Sequence, residues 1–401
     1  MSKPPPAACH QGLMTIRRIL QVGCIIFIGG QFCQANAPSD SPAVPSSFNP
    51  TTPALSLTIR CSKEHVKSGD EIPIEFDIRN IGTTDYSYLS RTDDRSGRMP
   101  EFELTAKDAT GQVVADPRKN YVGGLEGGLS NGRTLAPGSS FTQTIPLNRW
   151  ALITDPGRYE ITASYHVGKT SVRSQPIVIH IEPRTRAEMD EYIHRVEHAL
   201  KNATDDHKDA LLLQLMYTCD PAIIPILIEA LYGVPDHSNT AFWVTEAMCY
   251  YLPVEQSRQA LLEAIHTRGV APGMVGLAEQ LHATHEALMK IIALALAPKS
   301  PRTWANGALA AQRYGDDRWT VRLVAIATNT SALGRGQAIV ALAMNRTDAS
   351  VTALKHLLDD PDPTVRKITG DAIRTAYLYR GRATGRPLQS EDFDASFQKP
   401  E

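Results

Sequence analysis

The stretch Asp359-Asp360-Pro361-Asp362-Pro363-Thr364-Val365-Arg366-Lys367-Ile368-Thr369-Gly370-Asp371-Ala372-Ile373 decides the reading of the second half of the chain. Its carboxylates suggest a calcium loop, but such a loop alternates oxygen ligands around a central glycine, and here prolines interrupt the acids and stiffen the turn. The flanks account for the acids better. Ahead of them Val351, Leu354, Leu357 and Leu358 form one apolar stripe, and behind them Val365, Ile368, Ala372, Ile373 and Ala376 form another, both at helical spacing. Pro363 suits a first helical position, where its missing N–H has no partner to lose, and Asp362 can accept bonds from the free amides that follow. Negative charge at a helix start is also favoured by the dipole. The stretch is therefore the turn of a helical hairpin, and its acids are punctuation rather than a metal site.

A second copy lies upstream. In Asp220 to Leu231 (DPAIIPILIEAL) the residues Ile224, Leu227, Ala230 and Leu231 carry the spacing of Val351, Leu354, Leu357 and Leu358, and a further helix over Ala241 to Leu252 follows. Between the copies, VEQSRQALLEAI, AEQLHATHEALMKIIALAL and GQAIVALAM are apolar at helical spacing. About eight to ten helices are expected from Ala187 to Tyr379. The hairpin resembles the HEAT repeat, whose second helix begins with a D-P-x-V-R pattern, here Asp362, Pro363, Val365 and Arg366. The resemblance implies hairpins that cannot bury their faces alone and stack into an α-solenoid, residues 184–380. Residues 381–401 are polar and read as a disordered tail.

Upstream of Arg184 the period is two. Leu55, Leu57 and Ile59, then Ile72, Ile74, Phe76 and Ile78, alternate with polar residues, and turn signals such as Ser68-Gly69-Asp70 and Pro137-Gly138 separate the runs. That is the texture of an antiparallel sandwich. Asp155-Pro156-Gly157-Arg158-Tyr159 leads into a strand carrying Ile161, Ala163 and Tyr165, and Ile177 to Ile181 forms a closing strand before Glu182-Pro183. The Asp155 to Tyr159 run resembles the D-x-G-x-Y corner of immunoglobulin-like domains, which implies a tyrosine hydroxyl bonded back to the preceding loop. Ile161 stands where that family carries its second disulfide cysteine, so the resemblance is to disulfide-free bacterial members. The expected fold class is multidomain: an all-β Ig-like sandwich, residues 55–183, followed by the all-α HEAT-like helical-hairpin solenoid.

Residues 1–37 read as a signal peptide: Arg17 and Arg18 precede the apolar run Ile19 to Phe32, and small residues follow. The run is short for a membrane span; an uncleaved anchor, or lipidation at Cys24 or Cys33, are the alternatives that would place the chain on a membrane. Residues 38–54, rich in Pro, Ser and Thr, read as a linker. The expected location is therefore periplasmic or extracellular. Beyond the leader remain Cys61, Cys219 and Cys249, an odd number that implies no disulfide framework; Cys219 and Cys249 are either a pair or two buried thiols. Removing Lys3, Arg17 and Arg18 with the leader leaves 38 basic against 43 acidic side chains and no basic run, which excludes nucleic acid as a partner.

Candidate chemistry is sparse. His194-Arg195-Val196-Glu197-His198 matches the H-x-x-E-H order of inverted zinc peptidases, with Glu197 placed to activate a water. Against it, Met189, Tyr192, Ile193, Val196 and Leu200 define the buried face of this helix and leave His194 and His198 toward solvent. His282-Ala283-Thr284-His285-Glu286 fits neither zinc-peptidase order. The run Tyr121 to Gly132 holds five glycines but lacks the helix and Lys-Ser/Thr of a phosphate loop, and reads as a loop between strands. No catalytic residue, metal ligand or cofactor is therefore expected. What remains is surface. Aligning Thr240-Ala241 with Thr364-Val365 puts Phe242 and Trp243 where the C-terminal hairpin has Arg366 and Lys367, and Tyr250 and Tyr251 extend the patch. These aromatics must pack on the next repeat, on the sandwich, or on a partner. The expected function is a non-catalytic exported binding or scaffold protein with a protein partner. The alternatives are a proteinase-inhibitor-like role of the sandwich through the loop Asp116 to Arg133, and a zinc-dependent hydrolase using His194, Glu197 and His198.

Overall fold

Alternation along Leu55, Leu57 and Ile59 puts these side chains on one face of β1 (Leu55–Cys61), where they are buried while Ser56, Thr58 and Arg60 point outward. The computed structural model describes residues 54–383 except 64, 92–97, 120–129, 168–169, 234–238, 298–300, 315–316, 330–333 and 346–347. The leader, most of the Pro/Ser/Thr-rich linker and the last part of the C-terminal tail lie outside the described residues.

Nine further strands follow: β2 (Val66–Lys67), β3 (Pro73–Asn80), β4 (Tyr86–Arg91), β5 (Phe102–Lys107), β6 (Ser130–Leu135), β7 (Ser140–Pro146), β8 (Gly157–Val167), β9 (Thr170–Arg173) and β10 (Ile177–Glu182). One sheet runs β1-β3-β7, with Ile59 opposite Phe76 and Ile74 opposite Ile145. The other runs β2-β10-β8-β5 with β9 on β8, and β4 and β6 form a separate ribbon. Ile74, Phe76 and Ile78 of the first sheet share one core with Ile161, Ala163, Tyr165, Phe102 and Leu104 of the second. Aromatic rings link the layers: Phe76 meets Phe102 edge-on at 5.1 Å, Tyr165 lies between Phe102 and Phe141, and Tyr88 of the ribbon stacks on Phe141 at 4.3 Å. The expectation of a purely antiparallel domain needs correction, because β2 pairs with β10 in parallel, Val66 opposite Ile181. A strand of two residues carries too little pattern to announce its partner.

From Thr185 the chain is helical. The Thr185 hydroxyl accepts from the Glu188 amide and the Glu188 carboxylate accepts from the Thr185 amide, a reciprocal cap that opens α1 (Arg186–Asn202). Then come α2 (Asp205–Tyr217), α3 (Ile224–Tyr232), α4 (Thr240–Glu246), α5 (Val254–Arg268), α6 (Met274–Gln280), α7 (His285–Ala295), α8 (Trp304–Tyr314), α9 (Thr320–Ala327), α10 (Arg335–Asn345), α11 (Asp348–Leu358) and α12 (Pro363–Ala383). That makes twelve among the described residues, more than the eight to ten expected, because the short α6 and the helix α2 between two turns offer little periodicity to read. Helix α12 also runs to Ala383, past the expected boundary at 380.

The packing order is regular. Helix α2 packs on α4, α4 on α6, α6 on α8, α8 on α10 and α10 on α12, a continuous row of even-numbered helices; α3 packs on α5 and α9 on α11 beside it. The two sequence copies occupy equivalent places, α3 with α11 in the odd set and α4 with α12 in the even row. One apolar core runs from Ile193 to Ile373. The opening stretch behaves as a connector: Thr364 donates to the Asp362 carboxylate at 2.8 Å, Asp362 N–H to that of Asp360 at 2.9 Å, and Arg366 to the carbonyls of Asp360 and Pro361. Asp360 in turn pairs with the largely buried Arg335 of α10 at 2.7 Å, which ties the turn to the preceding hairpin.

Candidate functional site

Helix α4 continues without a break into a π turn, Ala247–Tyr251, closed by the extended Leu252 and Pro253. The wider turn re-aims the side chains that follow it. It sets both tyrosines against the β domain, Tyr250 under Arg118 and Tyr251 at the short turn Leu147–Arg149 after β7. The Tyr251 hydroxyl donates to the Asn148 carbonyl at 3.3 Å, and its ring meets Tyr217 of α2 edge-on. Asn148 is itself fixed from the β side: its carboxamide accepts from Ile72 at 2.8 Å and donates to the Asp70 carbonyl at 3.0 Å. Burial pushes the Tyr251 phenol well above its ordinary value, so it stays neutral.

Three arginines of the β domain converge beside it. Arg149 lies over the Trp243 ring at 5.6 Å and donates to the Tyr217 hydroxyl. Arg98 lies over Trp150 at 5.0 Å, pairs with Asp116, and donates to the Arg149 carbonyl. Arg118 lies over Tyr250 at 5.2 Å and forms an ion pair with Glu246, the side chains being 2% and 7% exposed. Burial pushes the Glu246 carboxyl above its ordinary value, while Arg118, then Arg98 and Arg149, pull it back down. Farther along the junction Lys67 of β2 pairs with Glu188 of α1 at 2.8 Å, and Arg184 bonds Asp70 at 2.7 Å while covering the Tyr192 ring.

The four aromatics singled out in the sequence therefore divide. Trp243, Tyr250 and Tyr251 belong to the junction between the two domains, and at 6% exposure Tyr251 is closed to a partner. Phe242 is half-buried, with its ring edge-on to Trp243 at 4.7 Å. The residues that the sequence reading missed are the charged ones. Glu246 carried a legible signal, because it sits among the apolar positions Val244, Ala247 and Met248, where an acid needs a cation brought to it. The loop Asp116 to Arg133, offered as the inhibitory loop, begins inside the junction, since Arg118 is buried; 120–129 lie outside the described residues.

The remaining candidates stand apart from this region. His194 is 82% exposed on α1, and Glu197 is engaged by Lys201 at 2.6 Å, one turn on, with His194 at 3.8 Å. His282 and His285 are exposed, and His285 lies against Tyr314. Among the described residues no three His, Cys, Asp or Glu side chains are grouped to hold a metal ion, and no helix is long and apolar enough to cross a membrane. Cys219 and Cys249 are unpaired thiols, and burial pushes both up to about 12, with Glu246 adding to the shift at Cys249.

No family model matches the chain, and no curated protein matches it. Among solved structures, human deoxyhypusine hydroxylase in complex with glycerol aligns with 47% of this chain and 75% of its own at 14% identity, with a TM-score of 0.26, a likeness too small to carry an argument.

Proposed function

We propose that the chain is a non-catalytic, exported binding or scaffold protein that engages a protein partner through the outer surfaces of an immunoglobulin-like β-sandwich and a HEAT-like α-solenoid. The observation that carries this reading is the junction: the buried Arg118–Glu246 pair and arginines lying over aromatic rings fix the outer surfaces of both domains in one relation, as a scaffold requires. The immunoglobulin-like part is supported by Tyr159, whose hydroxyl donates to the Asp155 carbonyl at 2.8 Å across the corner. The HEAT-like part is supported by the row of alternate helices and by Asp362 and Pro363 at the head of α12. Export rests on Arg17, Arg18 and the apolar run after them. Fold alone names no ligand, so the partner is identified only as a protein.

The test is capture from envelope extracts of the source with the chain from residue 38 onward, alongside Phe242→Ser and Val321→Asp. These two sites sample separate helices, and Val321 is 80% exposed on α9. A saturable protein partner, lost with one substitution while the fold is kept, is the expected result. Stoichiometric zinc, or turnover abolished by Glu197→Gln, would replace this reading with the hydrolase. Potent inhibition of a proteinase by the purified chain would replace it with the inhibitor.

A further inference from the structure

We infer that the β domain is the N-terminal cap of the helical row, and that the buried Arg118–Glu246 pair is the clasp without which the first helices of that row cannot hold their packing. A stack of hairpins leaves an unsatisfied face at each end, and an end unit of different character has to close it. Here Tyr217 of α2, Trp243 and Glu246 of α4, and Tyr250 and Tyr251 of the π turn make up the start of the even row, and each meets a residue of the β domain. Leu152, also from the β domain, packs into the helical core. The equivalent positions at the head of α12, Arg366 and Lys367, are exposed. Trp243 on α4, covered by Arg149, thus marks the covered end of the row.

Glu246 makes the dependence specific. It lies on the inner side of α4, flanked by the fully buried Val244, Ala247 and Met248. Among the described residues its ion-pair partner is Arg118, from the opposite domain. A buried carboxylate that has lost its ion-pair partner is strongly unfavourable, whereas the charged pair can be exchanged for apolar side chains of similar volume with little loss. Gly69 adds a shape constraint at the same junction, because a Cβ there would come within 3.0 Å of Met189 Cε and 3.2 Å of Thr218 Cα.

The test is hydrogen exchange along the full chain, followed with increasing denaturant, for wild type, Arg118→Met and Arg118→Met/Glu246→Met. In wild type, α4 with its π turn and β8 are expected to open in one transition. Arg118→Met should speed exchange in α4 and the π turn by about tenfold or more while β8 keeps its protection, and the double substitution should restore most of what the single one lost. If Arg118→Met fails to fold, a folded double variant with a single transition supports the clasp. The inference is overturned if wild-type α4 and β8 already open separately. It is equally overturned if Arg118→Met leaves α4 protection within about twofold of wild type, or if the double variant is no better protected than the single one.

Discussion

The Tyr159 hydroxyl closes the corner between Asp155 and β8, and it is a single group whose removal leaves the ring and its packing in place. Tyr159→Phe is therefore expected to lower stability by about 1 kcal/mol, the net worth of one hydrogen bond, read as a reduced urea midpoint with unchanged slope. At the other end of the chain Asp362 accepts from Thr364 as the cap of α12. Asp362→Ala should remove about 1 kcal/mol as well, and Asp362→Asn should recover most of it, since an amide caps as well as a carboxylate. If Asn proves as costly as Ala, the acid acts by charge toward Arg335, 4.0 Å away, rather than as a cap. Both residues were legible in the sequence because each lies inside a local pattern whose geometry is nearly complete within five residues. Arg118 was not, because its partner is distant in the chain and nothing around it marks the loop as buried.

Between elements, closeness of approach sets the limits. Gly273, at the head of α6, has φ +82°, and a Cβ there would lie 2.6 Å from the Ala241 Cβ on α4. Gly273→Ala combines a left-handed backbone with a clash in the even row and is expected to cost about 3 kcal/mol. Gly276, one turn along the same helix, would meet nothing within 4 Å, so Gly276→Ala should stabilise by about 0.5 kcal/mol and serves as the control. Thermal midpoints that move alike in the two variants would dismiss the close approach as the reason for Gly273. At this scale the sequence was informative where apolar stripes were long, as in α11 and α12. It was weak where an element is short or irregular: β2 has two residues, α6 has seven, and the π turn Ala247–Tyr251 reads in the sequence as the continuation of α4. Periodicity names a buried face but does not name what buries it, which is why Trp243 and Tyr251 were legible as aromatics in need of a neighbour, with the sandwich only one of three neighbours left open.

Across the whole molecule the junction is joined by ion pairs whose responses to pH have opposite sign. Glu188 is held down at about 2, against an ordinary 4.5, by its bond from Lys67 and by the amide and hydroxyl of Thr185. A carboxylate depressed by folding stabilises above its unfolded value and loses that contribution as pH falls, here between about 4.5 and about 2. Lys67 is raised by the same bond, so its share is full below about 10.5 and fades as pH climbs through the folded value. Glu246 runs the other way, because burial raises it: the folded chain binds its proton more readily than the unfolded one, and that contribution falls as pH rises. Wild-type acid stability alone mixes these effects, and comparison with Glu188→Gln separates them. At neutral pH the variant should melt below wild type, and the gap should close steadily from pH 5 down to about pH 2, where Glu188 gains its proton in the folded state as well. High salt should shrink the neutral-pH gap, since Lys67 and Glu188 are both substantially exposed. A gap that stays constant from pH 7 to 2 would mean that Glu188 acts through the shape of its cap at Thr185 alone, and the ionic tie between β2 and α1 would then contribute nothing to holding the domains together.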